Sequence, residues 1–342
     1  MAKIISGISL ILCLVCIEGL GTAHPSQRAK VLPGSVTQPV LTFIVDDTNR
    51  IRPLIGIAGA ASVGNPIDIG FSVVRSEVPP AHDYMIATTD AAWPVFVQMR
   101  GSNITLHAMD SMLQQTRFVG DLPPISRIVL SPSGSSAALL SESASTIYVF
   151  SNLSQSPTLT GAFDTTALGQ PTTFAINDDG NAVILGTSDG DVGALYLIKL
   201  GQPAALIAWR HHPSAVMFLH KSGWAIVADD AENQIYFVND GQIAGSFGTE
   251  SGIAGPVAVA SSNDNRKVFV GNARTGSVVT IGYDGTVSEP LYCKCALTGL
   301  SPTNTDSVFR LTDFSDGAPV LLFDANASKP RIVFAPLATS PF

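Results

Sequence analysis

Short runs of β-branched, aliphatic and aromatic residues recur along the chain, each bounded by polar turn residues. The clearest are Val40-Leu41-Thr42-Phe43, Val95-Phe96-Val97, Ile147-Tyr148-Val149-Phe150, Ala194-Leu195-Tyr196-Leu197-Ile198, Ile235-Tyr236-Phe237-Val238, Val278-Val279-Thr280-Ile281 and Val320-Leu321-Leu322-Phe323. Their spacing of roughly 40 to 55 residues is the period of a repeated supersecondary unit. Each run is too short for a helix and rich in residues that fit a pleated surface.

The same internal order surrounds the later copies. A first apolar strand ends in a turn, as in Ile128-Val129-Leu130 followed by Ser131-Pro132-Ser133-Gly134, or Phe174-Ala175-Ile176 followed by Asn177-Asp178-Asp179-Gly180. Asn, Asp, Ser, Pro and Gly favour such turns for separate backbone reasons. A second strand follows, such as Ala182-Val183-Ile184-Leu185 or Lys267-Val268-Phe269-Val270, then the aromatic strand, then a more variable fourth such as Ala205-Leu206-Ile207-Ala208. Four strands per unit, apolar on both faces, need neighbours on both sides. A closed ring of such sheets leaves none uncovered, so the pattern predicts an all-β fold: a β-propeller of four-stranded antiparallel blades. Seven aromatic strands favour seven blades. The sequence shows six clear inner strand pairs, so six blades are the alternative, with the first hairpin lying over the seam. In the seven-blade reading Val40–Phe43 is a third strand, and the segment from Ser26 to Gln38 supplies the inner pair before it.

Composition agrees. Charged residues make up 13% of the 342, well below the usual share of about 25%. There are 30 glycines and 22 prolines, as frequent turns require. A net charge of −8 argues against nucleic acid, which needs a basic face, and against an anionic lipid surface. The N-terminus reads as an export signal: Lys3, an apolar run from Ile8 to Ile17 broken only by Ser9, and small residues Gly21-Thr22-Ala23 at a cleavage position. The expected organisation is a signal peptide over 1–23, an N-terminal extension over 24–39 and the propeller over 40–342. No membrane span is expected after cleavage, and the expected location is secreted, periplasmic or extracellular.

Cleavage would leave two cysteines, Cys293 and Cys295, in Tyr-Cys-Lys-Cys-Ala. Three states fit: a disulfide closing a very small ring, a pair of free thiols, or two of the four ligands of a soft metal. No other His or Cys lies close in sequence to complete a metal set.

The stretch Val268-Phe269-Val270-Gly271-Asn272-Ala273-Arg274-Thr275-Gly276-Ser277-Val278-Val279-Thr280-Ile281 resembles the YVTN-type repeat of secreted and surface-layer β-propellers. A looser match runs from Ala225 to Val238, with Asp in the Asn position. The two ends, Phe43-Ile44-Val45-Asp46-Asp47 and Pro330-Arg331-Ile332-Val333-Phe334, are similar to those of exported bacterial propellers of unassigned activity. The resemblance implies fold and export. It carries no catalytic residue, because its pattern consists of turns and core positions.

Chemistry is sparse. GxSxG, P-loop, HExxH and GxGxxG motifs are absent. Trp209, Arg210, His211 and His212 form the one cluster of candidate ligand contacts, in a connector between blades. Asp178-Asp179-Gly180-Asn181 and Ser188-Asp189-Gly190-Asp191 are oxygen-rich, but the twelfth residue from Asp178 is Asp189 where a calcium loop needs Glu, so they read as turns. Arg52, Arg100, Arg117, Arg127, Arg210, Arg274 and Arg310 recur in or beside strands; any that share the channel opening would attract an anion, while the rest belong on the rim. Trp93, Trp209 and Trp224 are placed where core residues sit, with stacking on sugars as the alternative. No cofactor, metal or catalytic residue is expected. The expected role is a non-catalytic module binding an extracellular or periplasmic protein or glycan through its loop face. The alternatives are a lactonase-like hydrolase or lyase at the channel mouth, and a structural envelope component.

Overall fold

The computed structural model describes residues 39–100, 103–108, 122–154, 157–314 and 318–338. Its strands form seven sheets, six of four strands and one of three. Each sheet is an antiparallel meander of strands consecutive in sequence. Blade 4 is typical, with strands Gln170–Ile176, Ala182–Asp189, Val192–Lys199 and Ala205–Arg210.

Seven hydrophobic clusters lie between the sheets, one at each junction. Ile51 of blade 1 packs with Met85 and Val97 of blade 2. Tyr84 and Phe96 meet Leu139 and Phe150. Leu140 meets Val183 and Leu185. Ile184 and Leu195 meet Val227. Ile226 meets Val268 and Val279. Phe269 meets Phe309 and Phe323. Val320 and Leu322 of blade 7 then return to Leu41, Ile44 and Leu54 of blade 1. The circuit closes after seven steps. The chain is a seven-bladed β-propeller.

This explains why second and third strands do not alternate. Val183, Ile184 and Leu185 are all buried because successive side chains enter different clusters, one on each side of the blade. A single blade would leave both faces wet.

Blade 1 departs from the expected arrangement. Val40–Phe43 begins the strand Val40–Val45, which pairs with Ile51–Ile55. The turn between them repeats the turn joining the second and third strands of blade 2. The amide of Asp46 donates to the carbonyl of Arg50 and that of Asn49 to Asp46, as Thr89 does to Trp93 and Ala92 to Thr89. Asn49 and Ala92 are both left-handed, at φ 58° and 60°. Val40–Phe43 is therefore in second-strand position, one place earlier than the aromatic run suggested, and Ile51–Ile55 is the third strand. Among the described residues no strand lies inside it. The segment expected to supply an inner pair, and the signal sequence before it, lie outside the described residues.

Side chains tie the blades at both ends of the ring. At one end Thr172 Oγ1 donates to the carbonyl of Pro213 and Ser214 Oγ to that of Pro256, both at 2.6 Å. At the other, Tyr84 Oη donates to the carbonyl of Gly134 at 2.6 Å, and Asn304 donates through its backbone to Leu41 and through Nδ2 to Val40.

Candidate functional site: the central channel and its wide mouth

The inner strands run the same way along the central axis. They start at one end with Arg127, Thr172 and Ser214, and reach the other near Leu130, Ile176 and Phe218. The far end is the smaller, a cavity of about 290 Å³ walled by apolar inner-strand residues and the first turns of the blades. The starting end opens into a cavity of about 580 Å³, within the range of small-ligand sites.

Charged groups gather at this wide mouth. Arg127, Arg310 and Arg75 line it, together with Glu77, Asp46, Asp47 and Asp313. Arg310 is held by Asp313 at 2.6 Å and by Ser301 Oγ at 3.2 Å. Asp46 is buried and accepts from Arg52 Nε at 2.7 Å, from Thr48 Oγ1 at 2.6 Å and from the amides of Thr48 and Arg50. Burial alone would raise its pKa; these bonds outweigh that and hold it at about 2. The fork of Arg127 donates to the carbonyls of Pro171 and Thr172. Glu142 stands 3.8 Å from Arg127.

Of the seven arginines singled out in the sequence, Arg127 and Arg310 line the mouth. Arg52 stands behind it on Asp46, over the ring of Phe314 at 5.7 Å. Arg117 and the side chain of Arg100 lie outside the described residues. Arg75 and Glu77 escaped the sequence reading. Their one signal is charge within a short inner strand, Val73–Glu77, a feature shared with Arg127 of blade 3, whereas the inner strands of blades 4, 5 and 6 carry none.

Trp209, Arg210, His211 and His212 sit on the face around the same mouth, at the outer edge of blade 4. The backbone amides of His211 and His212 donate to the buried carboxylate of Asp229 at 3.1 and 2.9 Å. Their rings reach different acids: His212 Nδ1 is 2.7 Å from Asp230, and His211 Nε2 is 3.9 Å from Glu232. The guanidinium of Arg210 lies 4.1 Å from the centre of the Tyr236 ring. Among the described residues, no group of three or more His, Cys, Asp or Glu is placed to hold a metal ion.

The tryptophans are not core residues. Trp209 is 62% exposed, Trp93 42% and Trp224 38%. Trp93 stands in a second-to-third-strand turn, so it shares the wide-mouth face with Trp209. Cys293 and Cys295 are joined by a disulfide within the outer edge of blade 6. The two aspartate-rich segments form turns. Asp178 accepts from the amide and hydroxyl of Ser133 in blade 3, at 2.7 and 2.6 Å, and from the amide of Lys221 in blade 5, at 2.8 Å.

No family model and no curated protein sequence matches the chain. Solved structures do. A functionally unknown protein from Desulfotomaculum acetoxidans DSM 771 is similar with a TM-score of 0.60 at 14% identity, over 87% of this chain and 100% of that one. A chain of the mitotic checkpoint complex is similar with a TM-score of 0.53 at 10% identity, over 92% and 95%. A chain of the nidogen/laminin complex gives 0.50 at 15% identity, over 76% and 96%. The likeness is one of fold.

Proposed function

We propose that the chain is an exported propeller of the YVTN-repeat type whose wide-mouth face binds a protein partner outside the cytoplasm. The observation that carries this reading is the placing of Trp93 and Trp209, both well exposed, on the face that surrounds the channel mouth. Exposed tryptophan costs solvation and supplies much of the energy at protein interfaces, where Trp and Arg dominate. Val192, also exposed, begins the strand that pairs with the strand of Trp209. The blades beneath hold these residues on a rigid ring, which suits loops to recognition. Two of the structural neighbours are chains of protein complexes, which supports the reading through the fold alone. The apolar N-terminal stretch and the paired cysteines support export.

The test is affinity capture from the exported fraction of the native host with the propeller as bait, beside a Trp93→Ala/Trp209→Ala double variant. A partner retained by the parent and lost by the variant supports the reading. Equal capture by both, or binding to a glycan array with no protein retained, contradicts it.

A further inference from the structure

Among the described residues, two arginines at the wide mouth lack a close carboxylate partner, and they point to a ligand; Asp47 and Glu77 line the same mouth without an ion pair to either. Asp46 is satisfied by Arg52 and its own turn, and Asp313 by Arg310. Among the described residues, the guanidinium of Arg75 has no ion pair and no hydrogen bond. Arg127 keeps only its distant contact with Glu142, and its fork is spent on two carbonyls. Burial makes the charge on Arg127 harder to hold, and the nearby charge on Arg75 adds to this, while Glu142 opposes it. Two like charges facing one opening are a cost that an anion removes.

The size and the remaining lining narrow the class. About 580 Å³ is far more than an inorganic ion fills. Phe43 and Phe314, both partly exposed, also line the mouth and would cover an apolar or cyclic body. We propose that the wide mouth is a binding site for a small organic carboxylate, with Arg75 as its principal contact, Arg127 as a second cation and the phenyl rings around its body.

Glu77 gives this site a pH dependence. It follows Arg75 by two residues on the same inner strand and lines both cavities of the channel. Its side chain is exposed to the water of the channel, whose walls are protein. Among the described residues its carboxyl has no hydrogen bond or ion pair. The protein packed around the channel pushes its pKa up to about 7, with Arg310 pulling it down and Asp313 pushing it further up. The other charged or titratable groups around it are Arg75, Arg127, Asp46 and Asp47 at the wide end, and His220 and Asp306 at the far end. Above neutrality Glu77 is an anion and repels a bound carboxylate. Below it, the carboxyl is neutral and can donate a hydrogen bond.

This site is independent of any partner on the surrounding face, and its test uses small probes. Benzoate, benzamide of the same shape without the charge, and inorganic phosphate are titrated into the whole mature protein by calorimetry and NMR at about pH 6 and about pH 8. Benzoate is expected to bind about tenfold or more tighter than benzamide at the lower pH, as a charge-assisted bond implies. It should also bind tighter than phosphate, and weaken several-fold at the higher pH. Arg75→Gln, an exposed change, should cost about tenfold in benzoate affinity with circular dichroism unaltered. Glu77→Gln should keep benzoate binding and lose its pH dependence. Equal affinities for benzoate and benzamide, phosphate as the tighter ligand, unchanged binding in Arg75→Gln, or the parental pH dependence in Glu77→Gln would each overturn the proposal.

Discussion

Leu337 lies beside Val63 in a parallel bridge that joins the end of the chain to the outer edge of the first blade. The amide of Val63 donates to the carbonyl of Pro336, and the amide of Ala338 to the carbonyl of Val63, both at 2.7 Å. The last strand of blade 7, Arg331–Ala335, thus passes directly onto blade 1. Together with the cluster of Val320, Leu322, Leu41 and Leu54, this fastens the two ends of a ring whose other junctions are made by continuous chain.

Asp178 should act as a structural tie across three blades. Asp178→Ala removes the acceptor for Ser133 and Lys221, and exposure lets water replace part of it. The expected loss is about 1–3 kcal/mol in denaturant unfolding. Asp179, exposed beside it, is the control, and Asp179→Ala should stay within about 0.5 kcal/mol of the parent.

Asp46 should make the fold acid-sensitive. Its folded pKa of about 2 is below its ordinary 3.8, so the unfolded chain takes up the proton first as pH falls. Its contribution is complete above the ordinary value and is lost as pH drops through the folded one. The covering turn is thin, and solvent screens part of the effect, which leaves about 1–2 kcal/mol. In an acid titration monitored by circular dichroism, Asp46→Asn should be less stable than the parent at neutral pH. The two should converge near pH 2, since the parent has by then lost the same contribution.

The Cys293–Cys295 bond should matter little to global stability. It closes a loop too small to restrain the unfolded chain much, and it lies beside the short outer strand Leu291–Tyr292. Protein lacking residues 1–23 should resist alkylation until reduced. The Cys293→Ala/Cys295→Ala variant should unfold within about 1 kcal/mol of the parent.

Much of the fold was legible because packing on both blade faces leaves a strong mark. Runs such as Val183-Ile184-Leu185 and Val268-Phe269-Val270 are apolar without alternation, and their turns carry Asn, Asp and Gly where left-handed residues occur, as at Gly180 and Asn265. Blade 1 misled because hydrophobicity alone does not separate a second strand from a third. Val40–Phe43 looks like either, and the hydrogen bonds of the Asp46–Arg50 turn decide. The tryptophans were placed inward because a large apolar residue beside a strand usually packs, whereas Trp93 and Trp209 stand at strand ends where the blade has no neighbour above it. The mouth of the channel was half legible. Arg127 and Arg310 stood out, but only the common direction of the inner strands, and the return of the second strand of blade 7 to end at Arg310, bring them together with Arg75 and Glu77.

The closed ring is tested most directly by a cross-link across its seam. A Val63→Cys/Leu337→Cys variant is oxidised, digested and mapped by mass spectrometry. The expected result is an intramolecular bond joining the peptides that contain positions 63 and 337, with the far-ultraviolet spectrum of the parent. Free thiols at both positions, or bonds formed only between molecules, would contradict closure of the seven blades through the end of the chain.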